Sequence, residues 1–175
     1  MSYPRDVLIT ASAVELLILD VDGVMTDGRL YYSNDGAEAK AFHVQDGFAL
    51  KMLMNVGIPV AIVTGRTSNL VERRAEELGI PHIYQGLADK GEVIQPLCAA
   101  TGIAAERFAH AGDDIPDLAL FDKVGVRFSV PGAHPTVAAR AHYVTLSAPG
   151  FGAVREICHL IMIARDLWHT APDSQ

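Results

Sequence analysis

The chain has 175 residues, half of them hydrophobic and 20% charged, with a mean hydropathy of +0.21; this is the size of one domain with a full core, and too apolar for intrinsic disorder. Fourteen Lys and Arg against twenty-one Asp and Glu leave a formal net charge of −7, the wrong sign for holding nucleic acid or an anionic membrane by bulk electrostatics. No apolar run approaches the roughly 18 to 20 residues that cross a bilayer, no export signal is recognisable, and Cys98 and Cys158 are too far apart in sequence for a C-x-x-C site, so a reduced, cytoplasmic setting is expected.

Glu15-Leu-Leu-Ile-Leu-Asp20 reads as a buried strand that runs into Asp20-Val-Asp22-Gly23. Gly28 to Val44 carries two alternating polar and apolar stretches around Asn34-Asp35-Gly36, the pattern of a β-hairpin. Its Tyr31, Tyr32 and Phe42 are expected to be exposed on a single copy, which points to an oligomer. Asp46 to Val56 has helical spacing and is closed by Gly57; Pro59 to Thr64 is a second buried strand and leads into Thr64-Gly65-Arg66. A helix over Ser68 to Leu78, stopped by Gly79, precedes a strand at His82 to Tyr84. Asp89-Lys90 then opens a helix that reaches Thr101 and Gly102. The strand Phe108 to Ala111 leads into Gly112-Asp113-Asp114-Ile-Pro-Asp117, a helical stretch over Ile115 to Phe121, and a strand over Lys123 to Phe128. Gly152 to Trp168 reads as an amphipathic C-terminal helix. Strand alternating with helix implies an α/β fold: a Rossmann-like open parallel sheet with helices on both faces and a β-hairpin inserted after the first strand. Residues 1–175 are expected to form one domain with loose ends.

Four of these strands end in polar signatures. Each alone is an ordinary turn or N-cap. In an open parallel sheet, however, ligands bind at the C-terminal edge, so up to four carboxylates, the Thr64 hydroxyl, Lys90 and Arg66 converge there. Like charges so crowded are unfavourable unless a cation is shared. Oxygen donors point to Mg²⁺ rather than zinc, because none of the seven His falls in H-E-x-x-H or H-x-H spacing. Asp20 and Asp22 can face one small volume with different tasks. Asp20 would attack phosphorus, while Asp22 protonates the leaving alkoxide and then deprotonates water. Lys90 and Thr64 would hold the phosphoryl oxygens.

In chain order, DVDGVMTDG, VTGR, DK and GDDIPD resemble the four motifs of the haloacid dehalogenase superfamily of phosphohydrolases, over about Glu15 to Arg127. The resemblance implies Asp20 as nucleophile, Asp22 as acid/base and backbone metal ligand, Thr64 and Lys90 as phosphate binders, Asp113 as a metal ligand, and Asp114 and Asp117 as supporting residues. Asp22 and Thr64 lie 42 positions apart and Thr64 and Lys90 lie 26 apart, which leaves no room for a cap domain.

The longer strings DVDGVMTDGRLYY, FHVQDGFALKML, RRAEELGI, YQG and AHPTVAARAHYVT extend the resemblance to the capless, tetrameric branch of that superfamily. It implies hydrolysis of 3-deoxy-D-manno-octulosonate 8-phosphate in lipopolysaccharide precursor synthesis, and a homotetramer whose hairpin reaches a neighbour's active site. By position it implicates His43, Val44, Gln45, Asp46, Gly47 and Lys51 in contacting the sugar, with Asp22, Arg66, Arg74, Lys90 and Asp114. The chain departs from that pattern at Gln45, where many relatives have Arg, and at Pro149-Gly150-Phe151-Gly152, where they have a Gly-Gly-basic-Gly run. A phosphatase for a nonulosonate 9-phosphate is the nearest alternative. A phospho-receiver would need a different order of Asp and Lys along the strands, and a non-catalytic assembly subunit would not need every reactive group retained.

Overall fold

The computed structural model describes residues 3–168; the loose tail expected after Trp168 lies outside them. The elements follow in the order α1 (Arg5–Ala11), β1 (Leu16–Leu19), β2 (Tyr31–Tyr32), β3 (Glu38–Ala39), α2 (Val44–Asn55), β4 (Val60–Val63), α3 (Asn69–Leu78), β5 (His82–Tyr84), α4 (Ile94–Thr101), β6 (Phe108–Ala111), α5 (Leu118–Phe121), β7 (Val126–Ser129), α6 (Pro135–Arg140), β8 (Tyr143–Val144) and α7 (Ala153–Ala164). The main sheet has the order β5-β4-β1-β6-β7-β8, and every pair in it is parallel. No described helix is long and apolar enough to cross a membrane.

The period of two along each strand divides the core between the faces. Leu17 and Leu19 of β1 and Val60 and Ile62 of β4 pack toward α1, α2, α3 and α7. Leu16 and Ile18, with Ala61 and Val63, face α4 and α5 through Ile94, Leu97 and Leu120. All four β1 side chains are fully buried, each stabilising the fold by about 1.5–3 kcal/mol relative to exposure. Central strands covered on both sides therefore read as unbroken apolar runs, and their polar residues are confined to the ends.

Three elements escape sequence reading. Helices α1 and α6 span 7 and 6 residues, too few to express a 3.6-residue period, and β8 contributes only two register pairs to β7. Helix α2 begins at Val44, two residues earlier than the spacing suggests, because His43 is extended and occupies the N-cap position. Helix α7 ends at Ala164 rather than Trp168: Asp166 takes a left-handed φ of 57°, and the N–H groups of Asp166 and Leu167 return to the carbonyls of Ile163 and Met162, a Schellman closure without glycine.

The hairpin pairs Tyr31 with Ala39 and Tyr32 with Glu38 in an antiparallel ladder. Tyr32 is 61% exposed and Tyr31 42%. Phe42 corrects the expectation of exposure, since it packs against the main core, with the Arg74 guanidinium 5.8 Å over its ring.

Candidate active site

Asp20 is the first residue beyond β1 and still donates its backbone N–H to the Ala111 carbonyl at 3.1 Å. The chain then folds through Val21–Met25 with Gly23 at φ 93°. A Cβ at Gly23 would lie 2.1 Å from Asp113 Oδ2, so the loops after β1 and β6 meet at a distance only glycine permits. Lys90, in the turn leading to α4, is 4% exposed. Its Nζ lies 2.9 Å from Asp20 Oδ1 and 2.7 Å from Asp117 Oδ1.

Asp20, Asp113 and Asp117 each place a carboxylate oxygen within 4.8 Å of the others, but they are not equivalent. Asp117 is fully engaged: Oδ1 faces Lys90 and His110 Nε2, and Oδ2 accepts the backbone N–H groups of Asp113 and Asp114 at 2.9 and 3.1 Å. Asp113 Oδ1 is buried and has no hydrogen-bond partner. Asp117 is therefore a strut, whereas Asp113 keeps a buried oxygen without a partner beside Asp20.

The electrostatics follow the same division. Burial, then the charges of Asp20 and Asp117, push Asp113 up to about 7. Burial and the Asp117 charge also push Asp20 upward, against the pull of Lys90. Asp117 goes the other way: burial opposes its charge, but the hydrogen bond and charge of His110, then Lys90, hold it well below the ordinary carboxylate range. Lys90 is held above its ordinary value by Asp20 and Asp117 in spite of burial. An orphaned buried oxygen between two carboxyls resisting ionisation fits a hard divalent cation such as Mg²⁺.

This fit yields a pH test. A carboxyl at about 7 in the folded state binds its proton more tightly than the unfolded chain at about 3.9, so metal-free protein loses stability as pH rises from about 4 to about 7. Mg²⁺ needs the ionised form, so it should raise the melting temperature more at pH 8 than at pH 5. Asp113→Asn should flatten the metal-free profile over that window. Equal Mg²⁺ shifts in thermal melts at both pH values would remove Asp113 from the metal site.

A second layer closes from the hairpin. Asp22 Oδ1 is paired with Lys40 Nζ, whose side chain is 1% exposed, and Oδ2 lies 3.6 Å from Arg66 Nε. Arg66 Nη2 donates to Tyr32 Oη and Glu38 Oε1, both at 3.0 Å. Ser68 Oγ donates to Glu38 Oε2 at 3.0 Å. Thr64 is buried just beyond β4, and its Oγ1 accepts the Arg66 N–H at 3.4 Å. Tyr32, Glu38, Lys40 and Ser68 are missed by sequence reasoning. The available signal is alternation, since Glu38 and Lys40 share one face of the hairpin strand and Tyr32 stands opposite Glu38.

The other expected sugar contacts are divided. His43, Asp46, Gly47 and Arg74 surround a small void with Met25, Phe42 and Leu78. Asp46 is 3% exposed, and its Oδ1 accepts the Arg155 N–H at the start of α7 at 2.8 Å. A Cβ at Gly47 would lie 2.2 Å from Arg74 Nη2. Gln45 instead lines a separate cleft of about 370 Å³ between α2 and α7, with Phe48, Phe151 and Arg155. Val44 and Lys51 are exposed on α2. Asp114 is exposed, and its carboxylate accepts the Ile115 N–H at 2.8 Å as a helix cap.

Carboxylates with a buried lysine at the carboxyl edge of an open parallel sheet define a site for phosphoryl transfer with a divalent metal. Residues 79–157 match the family model described as haloacid dehalogenase-like hydrolase. The chain is 47% identical over 161 residues to the 3-deoxy-D-manno-octulosonate 8-phosphate phosphatase KdsC of Yersinia pestis, covering 92% of this chain and 86% of that one. It is 46% identical to the enzyme of the same name from Escherichia coli K12, over 91% of this chain and 85% of the other. The crystal structure of the 3-deoxy-D-manno-octulosonate 8-phosphate phosphatase from Moraxella catarrhalis, in complex with magnesium, phosphate and KDO, superimposes with a TM-score of 0.92 at 41% identity, covering 96% of this chain and 97% of that one. The chain belongs to the haloacid dehalogenase-like hydrolases, in the branch formed by these phosphatases.

Proposed function

We propose that this protein is a Mg²⁺-dependent phosphomonoesterase that hydrolyses 3-deoxy-D-manno-octulosonate 8-phosphate to the free sugar and inorganic phosphate. The observation that carries the reading is Asp20 held at 2.9 Å by a buried Lys90 beside the unpartnered Asp113 oxygen, in a chain 47% identical to such a phosphatase.

The carboxylates of Asp20 and Asp113 and the main-chain carbonyl of Asp22 would hold Mg²⁺. The ion supplies positive charge to the phosphoryl oxygens. Lys90 Nζ and Thr64 Oγ1 bind the remaining oxygens and keep the phosphorus in line with Asp20. The Asp20 carboxylate attacks phosphorus as the bond to the sugar oxygen breaks, and protonated Asp22 gives its proton to that oxygen. Asp22, now ionised, takes a proton from water as it attacks the aspartyl-phosphate, which releases phosphate and restores Asp20. Lys40 and Arg66 flank Asp22, and Arg66, with its side chain 42% exposed, is the one of the two that an anionic sugar can reach, although the chain carries −7.

Residues 1–175 act as one catalytic domain, since both cores rest on the same sheet. The working form is a cytoplasmic homotetramer in which the hairpin, with Leu30, Tyr31 and Tyr32 exposed, lies near a neighbour's site. The sugar contacts would come from His43, Val44, Asp46, Gly47, Lys51, Arg66, Arg74 and Asp114, with Gln45 contributing from its own cleft between α2 and α7.

The test is phosphate release by purified protein with Mg²⁺ present or chelated, comparing 3-deoxy-D-manno-octulosonate 8-phosphate with a nonulosonate 9-phosphate and hexose phosphates. Preference for the first by at least about tenfold in kcat/KM, lost on chelation, is expected. Preference for the nonulosonate would move the substrate assignment, and no Mg²⁺-dependent release from any ester would overturn the reading.

A further inference from the structure

His110 sits in the middle of β6, fully buried, opposite Ile18 of β1. In the sequence it reads as one more residue of a covered strand. Its Nε2 lies 3.0 Å from Asp117 Oδ1 and its Nδ1 3.3 Å from the Ile18 carbonyl oxygen, while the Phe121 ring packs against it at 5.7 Å, nearly perpendicular. Both polar neighbours are acceptors. A main-chain carbonyl has no proton to give, and Asp117 already accepts from Lys90 Nζ and two backbone N–H groups. A neutral imidazole owns one N–H, so it would turn a lone pair toward one of these oxygens in a site without water access; an imidazolium satisfies both.

We propose that His110 is a positioning residue, a buried imidazolium that fixes Asp117 from behind and, through it, the Lys90 ammonium and the Asp113–Asp114 backbone. The Asp117 carboxylate has four partners, two on each oxygen. Any rotation away from His110 disturbs Lys90 on one side and the Asp113 loop on the other. The charges facing the ring are Asp117 directly, with Lys90, Asp20 and Asp113 beyond it; Ile18 and Phe121, on the elements packed against it, carry none. Two buried cations among three carboxylates leave the ionised site with one net negative charge, suited to receive a divalent ion without driving the phosphoryl group away.

The kinetic arm rests on the phosphatase reading, and a spectroscopic arm does not. In full-length protein with ¹⁵N-labelled histidine, the His110 resonances, assigned by their loss in His110→Gln, should show both ring nitrogens protonated at pH 7.5, with and without Mg²⁺. His110→Phe should lower kcat roughly 10- to 100-fold, as for other residues that orient a ligand from behind, with KM changed less than about threefold. His110→Gln, which keeps an N–H donor for Asp117, should recover part of that loss. A singly protonated ring, or a folded His110→Phe protein with unchanged kcat, would overturn the proposal. If His110→Phe does not fold, the wild-type ring signal decides; if wild-type protein releases no phosphate from any ester, the functional reading falls while that signal still decides the imidazolium.

Discussion

Replacing Asp20 with asparagine is expected to abolish phosphate release, by at least about four orders of magnitude or about 5.5 kcal/mol in barrier, while the protein stays folded. The amide keeps the size of the side chain and an oxygen that can accept from Lys90 Nζ, so the 2.9 Å contact has a neutral successor. What disappears is the nucleophile. The substitution also withdraws one negative charge from a cluster in which Asp20 and Asp113 are both pushed toward protonation, so the melting temperature of metal-free protein should stay level or rise. Retention of more than about 1% of the wild-type rate, far above what a missing nucleophile allows, would remove Asp20 from that role.

Lys90→Met should have the opposite signature, with activity and stability lost together. Methionine fills a similar volume but leaves Asp20 and Asp117 facing each other without the ammonium that lies 2.9 and 2.7 Å from them. Removing one partner of a buried charge pair costs about 3–5 kcal/mol, which for a chain of this length lowers the melting temperature by roughly 10 °C. Phosphate release should fall about 10²- to 10³-fold, as when one preorganised donor to a developing charge is removed. Thermal melts and initial rates on the two variants distinguish the reacting carboxylate from the cation that organises it. A Lys90→Met protein as stable as wild type would show that the ammonium does not neutralise the pair.

The central sheet is legible in the sequence because β1, β4 and β6 are covered on both faces, so each is a largely apolar run closed by a polar, glycine-containing turn: Asp20-Val-Asp22-Gly23, Thr64-Gly65-Arg66 and Gly112-Asp113. That pattern also announces where Asp20, Thr64, Lys90 and Asp113 stand along the chain. Lys40 and Glu38 are silent for a different reason: their meeting with Asp22, Arg66 and Ser68 depends on the hairpin folding back over the carboxyl edge, which no local periodicity encodes. Asp46 has a long-range tie that local pattern does not encode: one carboxylate oxygen accepts the backbone N–H of Arg155, 109 residues away, while the other, buried, has no hydrogen-bond partner. His110 is hidden because a histidine between alanines in a buried strand has the same pattern as a core residue. Its two acceptors appear only when β6 lies beside β1 and Asp117 turns inward.

Strand β1 lies at the centre of the sheet, and its partners come from distant parts of the chain: Leu17 pairs with Val60 on one side and with Ala109 on the other. The residues we assign to the reaction follow the same rule, being carried on the ends of β1, β4 and β6 and on the turn before α4. No contiguous fragment holds them together, and the loop closures that join them span most of the sequence. Such a high-contact-order arrangement couples assembly of the site to completion of the sheet. The chemistry is therefore silent in any nascent or nicked chain that has not paired β1 with β6, and activity reports cooperative folding of the whole unit.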